Sequence, residues 1–404
     1  MVATWIRGLV LALVVLAAAP VPAAAQRAAE DFAIPNGYFY TQAAPGQNGA
    51  GYRVANEASI PFWDEFQRHG GLAKLGYPVS GRFIWKDRVA QLFQFGALVW
   101  LGGDRLSEIR RVEELGEPPD HAKRAQPSPR STGDAERYPW SGWWWPANFR
   151  AGGPFLFDPS GPLAKYDRYV ESLGQPDPRT VEWERSELIF AGLQWAGHCN
   201  GWAAAALLEP EPTDSRIVNE LTFGVADQKG LLSAYHFADA ALWALGSEEQ
   251  EVTPAELHRM LLSWLGRQRK GMIFTFRLGD EEVWSYPAFK FESVMGPDAI
   301  RPNVWLVRTV VWFVDNDVPA GWVGARPWPA ADGKSFEYTL IGDPQEPTGG
   351  EWSAQNSGRF ERPFMIWYPD PSRRNQDRQL SSPELDYRLI QRILGRSLPP
   401  VFTR

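Results

Sequence analysis

Gln194-Trp195-Ala196-Gly197-His198-Cys199-Asn200-Gly201-Trp202-Ala203-Ala204-Ala205-Ala206-Leu207-Leu208 is the stretch on which the reading of this 404-residue chain turns. It holds the sole cysteine of the sequence, Cys199, so no intramolecular disulfide can form. At that point a small-residue turn hands over to an Ala/Leu-rich helix. A helix N-terminus carries about half a unit of positive charge, which lowers a thiol's pKa toward the reactive thiolate. Cys199 is therefore a candidate nucleophile. A free cysteine is equally at home as a small buried hydrophobe, and only a histidine partner elsewhere separates the two readings.

The chain opens with one positive charge, Arg7, then an apolar run over residues 9–19, then Pro20-Val21-Pro22-Ala23-Ala24-Ala25. That order predicts a secretory signal cut after Ala25; the run is short and proline-broken for a membrane span. Export without spare cysteines leaves stability to the core, and the length suffices for two domains. The formal charge of −7 excludes a general nucleic-acid role, which needs a basic surface. The 20 Trp, 22 Phe and 12 Tyr predict aromatic cores and, for some, a groove that holds a polymer.

Composition divides the mature chain. Residues 31–116 read as a small unit: a helix over 61–71 ending in Gly70-Gly71, a turn-rich stretch, and short strands over 82–85, 89–93 and 98–100. Residues 117–137 are rich in proline, serine and charge and predict a mobile linker. Residues 138–404 read as helices first, then strands over 272–276, 304–313 and 336–341, which predicts an α+β domain.

A cysteine nucleophile needs a base, and the base an orienting group. The histidines are His69, His121, His198, His236 and His258. The first lies in the small unit, the second in the linker, and the third is adjacent to Cys199 with its side chain expected to point elsewhere. His236 and His258 stay open on this ground. Thr253 and Glu256 form a capping box with Pro254 at the first helical position, so His258 falls in the first turns of a helix. Papain-type peptidases place their histidine about 130–150 residues after the cysteine, which this chain cannot do; the shorter spacing expected of transglutaminase-type members of that superfamily is available.

Several blocks then line up in order: Ser141-Gly142-Trp143-Trp144-Trp145-Pro146 with Gly161-Pro162-Leu163-Ala164-Lys165-Tyr166-Asp167; the cysteine block through Glu209-Pro210-Glu211-Pro212; Phe223-Gly224-Val225-Ala226-Asp227-Gln228-Lys229-Gly230; Pro254-Ala255-Glu256-Leu257-His258; Glu282-Val283-Trp284-Ser285-Tyr286-Pro287; and Gly349-Gly350-Glu351-Trp352 with Arg362-Pro363-Phe364-Met365-Ile366-Trp367. Over residues 138–370 the chain resembles the transglutaminase elicitors of oomycetes and their bacterial relatives. In the small unit, Leu75-Gly76-Tyr77-Pro78 and the aromatic hairpin after it resemble one LGFP-type repeat of bacterial envelope proteins.

The first resemblance implies a papain-like, transglutaminase-like fold and a Cys–His acyl-transfer site, with His258 in the base position. Two departures stand out: Ser285 where the family carries Asn, and Phe276 where an acidic residue is expected. The third catalytic group is left open among Asp227, Asp280 and Asp343. The implied chemistry is attack of the Cys199 thiolate on a glutamine carboxamide and transfer of the thioester to an amine or water. The Cys199 N–H and the Gln194 side chain are the expected oxyanion donors, with Trp195, Trp284 and Trp352 lining a groove. No metal or cofactor is expected, because no ligand cluster with zinc spacing and no EF-hand loop exists. Expected partners are glutamine- or amide-bearing polypeptides, an amine acceptor and, through the LGFP-like unit, cell-envelope polymer. The alternatives are a cysteine peptidase or amidase acting on envelope peptides, and a non-enzymatic envelope-binding protein.

Overall fold

The computed structural model describes residues 30–42, 49–102, 106–188, 193–247, 249–278, 281–356, 358, 361–374 and 381–397. The expected signal segment and Asp280 lie outside the described residues.

The N-terminal unit begins with strands β1 (Phe32–Ile34), β2 (Gly37–Tyr40), β3 (Tyr52–Glu57) and β4 (Ile60–Pro61), paired in that order. Helix α1 (Phe62–Arg68) buries Phe62 and Phe66 against Tyr40, Val54 and Phe93. Gly70 and Gly71, at φ 95° and 56°, take the left-handed conformation that ends α1 and starts α2 (Gly71–Leu75). A second antiparallel sheet follows: β5 (Phe83–Trp85), β6 (Arg88–Phe93), β7 (Gly96–Trp100) and β8 (Ser107–Arg110).

The segment expected to be a mobile linker is structured. After α3 (Val112–Leu115) it carries α4 (Asp120–Lys123) and β9 (Arg130–Asp134), and β9 pairs with the main sheet of the second domain. The physical reason is an open edge. Strand β14 (Glu282–Pro297) pairs over its first half with β13 (Met272–Leu278), and β9 fills the same side farther on, Lys290 opposite Asp134 and Val294 opposite Arg130. Gly133 permits this, since a Cβ there would lie 2.5 Å from the Phe291 ring and 2.8 Å from Gly266.

The second domain is α+β, as its sequence pattern predicts. Helices α5 (Pro162–Ser172), α6 (Thr180–Glu187), α7 (Cys199–Leu208) and α8 (Val225–Tyr235), with the small hairpin β10 (Arg216–Val218) and β11 (Leu221–Phe223), come first. Strand β12 (Ala241–Leu245) and helix α9 (Pro254–Met260) lead into the sheet. β15 (Val304–Val314) pairs with β14, and β16 (Pro327–Trp328) and β17 (Lys334–Ile341) pair with β15. β18 (Met365–Pro369) inserts between β12 and β13, and α10 (Tyr387–Ile393) closes the described chain.

One core joins helices and sheet. Trp202 and Ala203 to Ala206 of α7 are essentially unexposed and meet Phe274, Phe276, Phe291 and Phe313 in the same cluster. The alanines let α7 lie close to α8 and β14, which puts its first residue, Cys199, against the sheet. Among the described residues, no helix is long and apolar enough to cross a membrane.

Candidate active site

The turn before Cys199 is stapled to the Trp143-Trp144-Trp145-Pro146 block. Ala147 N–H donates to the Ala196 carbonyl at 2.9 Å, and His198 N–H donates to the Trp145 carbonyl at 3.1 Å. A Cβ at Gly197 would lie 2.6 Å from the Trp144 ring, so only glycine fits there. On the far side, a Cβ at Gly201 would strike the Ser233 carbonyl at 2.2 Å. The sequence around the cysteine is thus a set of close approaches that fix where α7 begins.

Cys199 lines a cavity of about 1040 Å³ between the start of α7 and one face of β12, β13, β14 and β18. Opposite it stand the hydroxyls of Thr275 on β13 and Ser285 on β14. These two residues are register partners with their oxygens 3.0 Å apart, and Trp367 Nε1 donates to Thr275 Oγ1 at 3.2 Å. The walls are Trp195, Phe237, Val283, Phe364, Met365 and Trp367, and the charged groups at the lining are Asp239, Arg277, Glu281 and Arg373.

Burial pushes the Cys199 thiol up from its ordinary pKa. The N–H and hydroxyl of Ser285 and the N–H groups at the start of α7 pull the other way without reversing it. The helix N-terminus does act on this thiol as the sequence predicts, but desolvation is the larger effect.

The other expected site residues scatter. His258 is 1% exposed on α9. Its Nδ1 meets the Tyr338 hydroxyl at 2.9 Å, from which a buried chain runs to Thr309 at 2.9 Å and on to Ser293 at 2.6 Å. Burial lowers its pKa to about 4. It does not line the Cys199 cavity; helical phase, which sequence spacing could not fix, turns it toward β17. Asp227 caps α8, accepting from Gly224 N–H at 2.7 Å and from Lys165 Nζ at 2.6 Å. Asp343 accepts from Gln345 N–H in a turn. Of the expected groove residues only Trp195 lines the cavity. Gln194 is exposed, Trp284 packs edge-on against Trp144, and Trp352 donates to the Val252 carbonyl while packing on Tyr338.

The remaining histidines are engaged elsewhere. His198 Nε2 meets Glu184 at 2.6 Å, and His69 Nε2 meets Ser107 at 3.1 Å. His121 is exposed on α4. His236 lies behind the cavity wall, its Nδ1 2.6 Å from Asp239 and its Nε2 3.4 Å from Glu209. Of the five histidines none lines the cavity. Among the described residues, no group of three or more His, Cys, Asp or Glu side chains is placed to hold a metal ion.

Ser285 stands out in the sequence only as a departure from the family pattern, and Thr275 is missed there although its signal is present. Thr275 is a lone hydroxyl in the apolar run Met272-Ile273-Phe274-Thr275-Phe276, and its alternate neighbour Arg277 reaches the same cavity.

Residues 189–247, which bracket the start of α7, match the family described as Transglutaminase elicitor. The crystal structure of the GP42 transglutaminase from Phytophthora sojae shares the fold with a TM-score of 0.50 at 18% identity, over 66% of this chain and 90% of that one. No curated protein matches the chain. The segment match, centred on the cysteine helix, makes this part of the chain similar to the transglutaminase elicitor family, and the solved transglutaminase shares its α+β fold.

Proposed function

We propose that the Cys199 cavity is a transglutaminase-type site that binds an amide-bearing stretch of polypeptide, and that acyl transfer through its thiol is slow. The carrying observation is the placement of the histidines: all five are engaged or exposed elsewhere, and none lines the cavity. Acyl transfer requires the thiol proton to leave before attack and a proton to reach the departing amine, and an imidazole ordinarily does both. Here the thiol is held protonated by burial. The remaining features suit recognition of an amide. The Thr275 and Ser285 hydroxyls can each donate to a carbonyl or accept from an NH2 group, and the apolar walls can take the carbon chain. We likewise propose export behind the first 25 residues and attachment to envelope polymer through the N-terminal unit.

A second reading, full catalysis, is favoured by one observation: the N–H and hydroxyl of Ser285 and the Asn200 N–H converge on the sulfur. Donors in that arrangement favour the thiolate form of the cysteine. The thiolate would attack the carboxamide carbon, the C–N bond would break, and ammonia would leave carrying the thiol's proton. The thioester would then pass to an amine or to water.

The test is amine incorporation. Protein spanning residues 26–404 is incubated under reducing conditions with a glutamine-bearing protein and a fluorescent primary amine, beside Cys199→Ala and His258→Ala. The proposal expects incorporation and ammonia release only slightly above those of Cys199→Ala, with a glutamine peptide still bound. Incorporation lost in Cys199→Ala but kept in His258→Ala establishes the second reading without that histidine. Loss in both restores His258 as base through a rearranged conformation. Ammonia without incorporation makes the protein a hydrolase.

A further inference from the structure

A second concavity, of about 420 Å³, opens in the N-terminal unit where the segment after it folds back. Its charged lining is Arg53, Arg82 and Glu57, with His121 beside them. Arg53 and Glu57 belong to β3, and Arg82 immediately precedes β5. Both guanidiniums turn to one carboxylate. Arg53 Nη2 lies 3.4 Å and Arg82 Nη1 3.3 Å from Glu57 Oε2. Two fixed cations share one anion, so a unit of positive charge is left over in a protein whose net charge is −7.

These contacts are long and single, unlike the fork in which two parallel N–H bonds satisfy a carboxylate. Among the described residues Arg82 donates through Nη1, to the Glu57 carboxylate at 3.3 Å and to the Glu57 carbonyl at 3.4 Å. Arg53 adds a 3.5 Å bond to Gln126 Oε1. Burial pushes the Arg82 pKa down from its ordinary value, yet a guanidinium keeps its charge in proteins. A desolvated cation gains most from a further anion.

The arrangement is built into the fold. Gln126 is fixed by reciprocal backbone bonds with Gly51 at 2.9 and 2.6 Å. The Arg82 guanidinium lies 5.1 Å from the Phe62 ring and that of Arg53 lies 5.0 Å from the Trp305 ring. Swinging either out to solvent forfeits an aromatic partner. Beside the charges stand apolar surfaces, Val89, Pro119 and Ile84, the last 67% exposed.

We propose that this concavity binds a carboxylate carried on an apolar body, with Arg82 and Arg53 as its donors. The charge balance selects the ligand. A monoanion cancels the surplus cation, whereas a phosphate dianion overshoots it beside Glu57.

Calorimetric titration of the full mature chain with 3-phenylpropionate at low salt tests this, with 3-phenylpropionamide and inorganic phosphate alongside. The carboxylate is expected to bind at least tenfold tighter than either. Arg82→Gln is expected to weaken it tenfold or more. Glu57→Gln removes the competing carboxylate and is expected to tighten binding at least threefold, a gain that a misfolded variant cannot give. Equal binding of the amide, tighter binding of phosphate, indifference to Arg82→Gln, or no gain in Glu57→Gln would each overturn the proposal.

Discussion

His236 and His258 are each 1% exposed, and they lie on the same domain of the same chain, yet their charges are set in opposite directions. His236 faces two carboxylates. Burial alone would depress its pKa, but Asp239 and Glu209 hold it above the ordinary histidine value. His258 meets the Tyr338 hydroxyl and the Pro344 backbone, and burial takes it to about 4. Burial therefore does not decide the protonation of an imidazole; the partner does. Neither environment delivers a proton acceptor to Cys199. One histidine is occupied by its acids, and the other is sealed behind β17.

The comparison breaks most severely at Glu209. Beyond His236, this buried carboxylate accepts from Tyr387 Oη at 2.7 Å and Arg396 Nη1 at 3.0 Å, and its pKa is held down to about 2. Glu209→Gln removes the shared carboxylate of the Arg396 guanidinium and of His236, leaving the buried imidazolium with Asp239 as its carboxylate partner. It is expected to cost about 3–5 kcal/mol, the range for breaking a buried ion pair from one side, and to loosen α10 first. Urea unfolding, with hydrogen exchange on α10, measures both.

Next come the pH limbs. His258 is neutral in the fold, with its pKa depressed, so the stability it contributes is present above about 6.5 and is lost as pH falls toward 4. The depression corresponds to about 3 kcal/mol at the acid end. His258→Phe should flatten that limb of the stability curve. His236 has the opposite sign. Its contribution is complete below about 6.5 and is lost as pH rises through the raised pKa. His236→Gln should flatten the neutral-to-alkaline limb while leaving the acid limb intact; a single shared limb would mean the two sites are coupled.

The smallest effect is at the thiol. Alkylation of Cys199 by iodoacetamide should keep rising past the pH at which an ordinary thiol levels off, because burial raises its pKa. Ser285→Ala removes one hydroxyl donor and should slow alkylation at fixed pH by about threefold, the scale of a weak hydrogen bond. A plateau near neutral pH would return the site to the activated-nucleophile reading.

Much of this arrangement was legible in the residues. Thr253, Pro254 and Glu256 announced the start of α9, and the structure has both halves of the capping box. Aromatic and β-branched runs announced β13, β15 and β17, and the Ala/Leu run after Cys199 announced α7. What could not be read were contacts made across the chain. Arg130-Ser131-Thr132-Gly133-Asp134 has no apolar alternation, and it is a strand only because β14 offers an open edge to it. Helical phase puts His258 on a buried face but does not say whether Cys199 or Tyr338 lies there. The hydroxyl pair opposite the thiol depended on the β13–β14 register, which spacing alone does not fix.

Strand β14 gives the molecule a mechanical character. It spans 16 residues, about 50 Å of extended chain. Near one end Ser285 lies against the thiol. At the other, a Cβ on Gly296 would meet the Pro35 carbonyl at 2.1 Å, and Asn36 Nδ2 donates to the Pro297 carbonyl at 2.9 Å. A pull on the N-terminal unit would thus enter a rigid rod and load the β9–β14 rungs together, in shear, before any slack segment could absorb it.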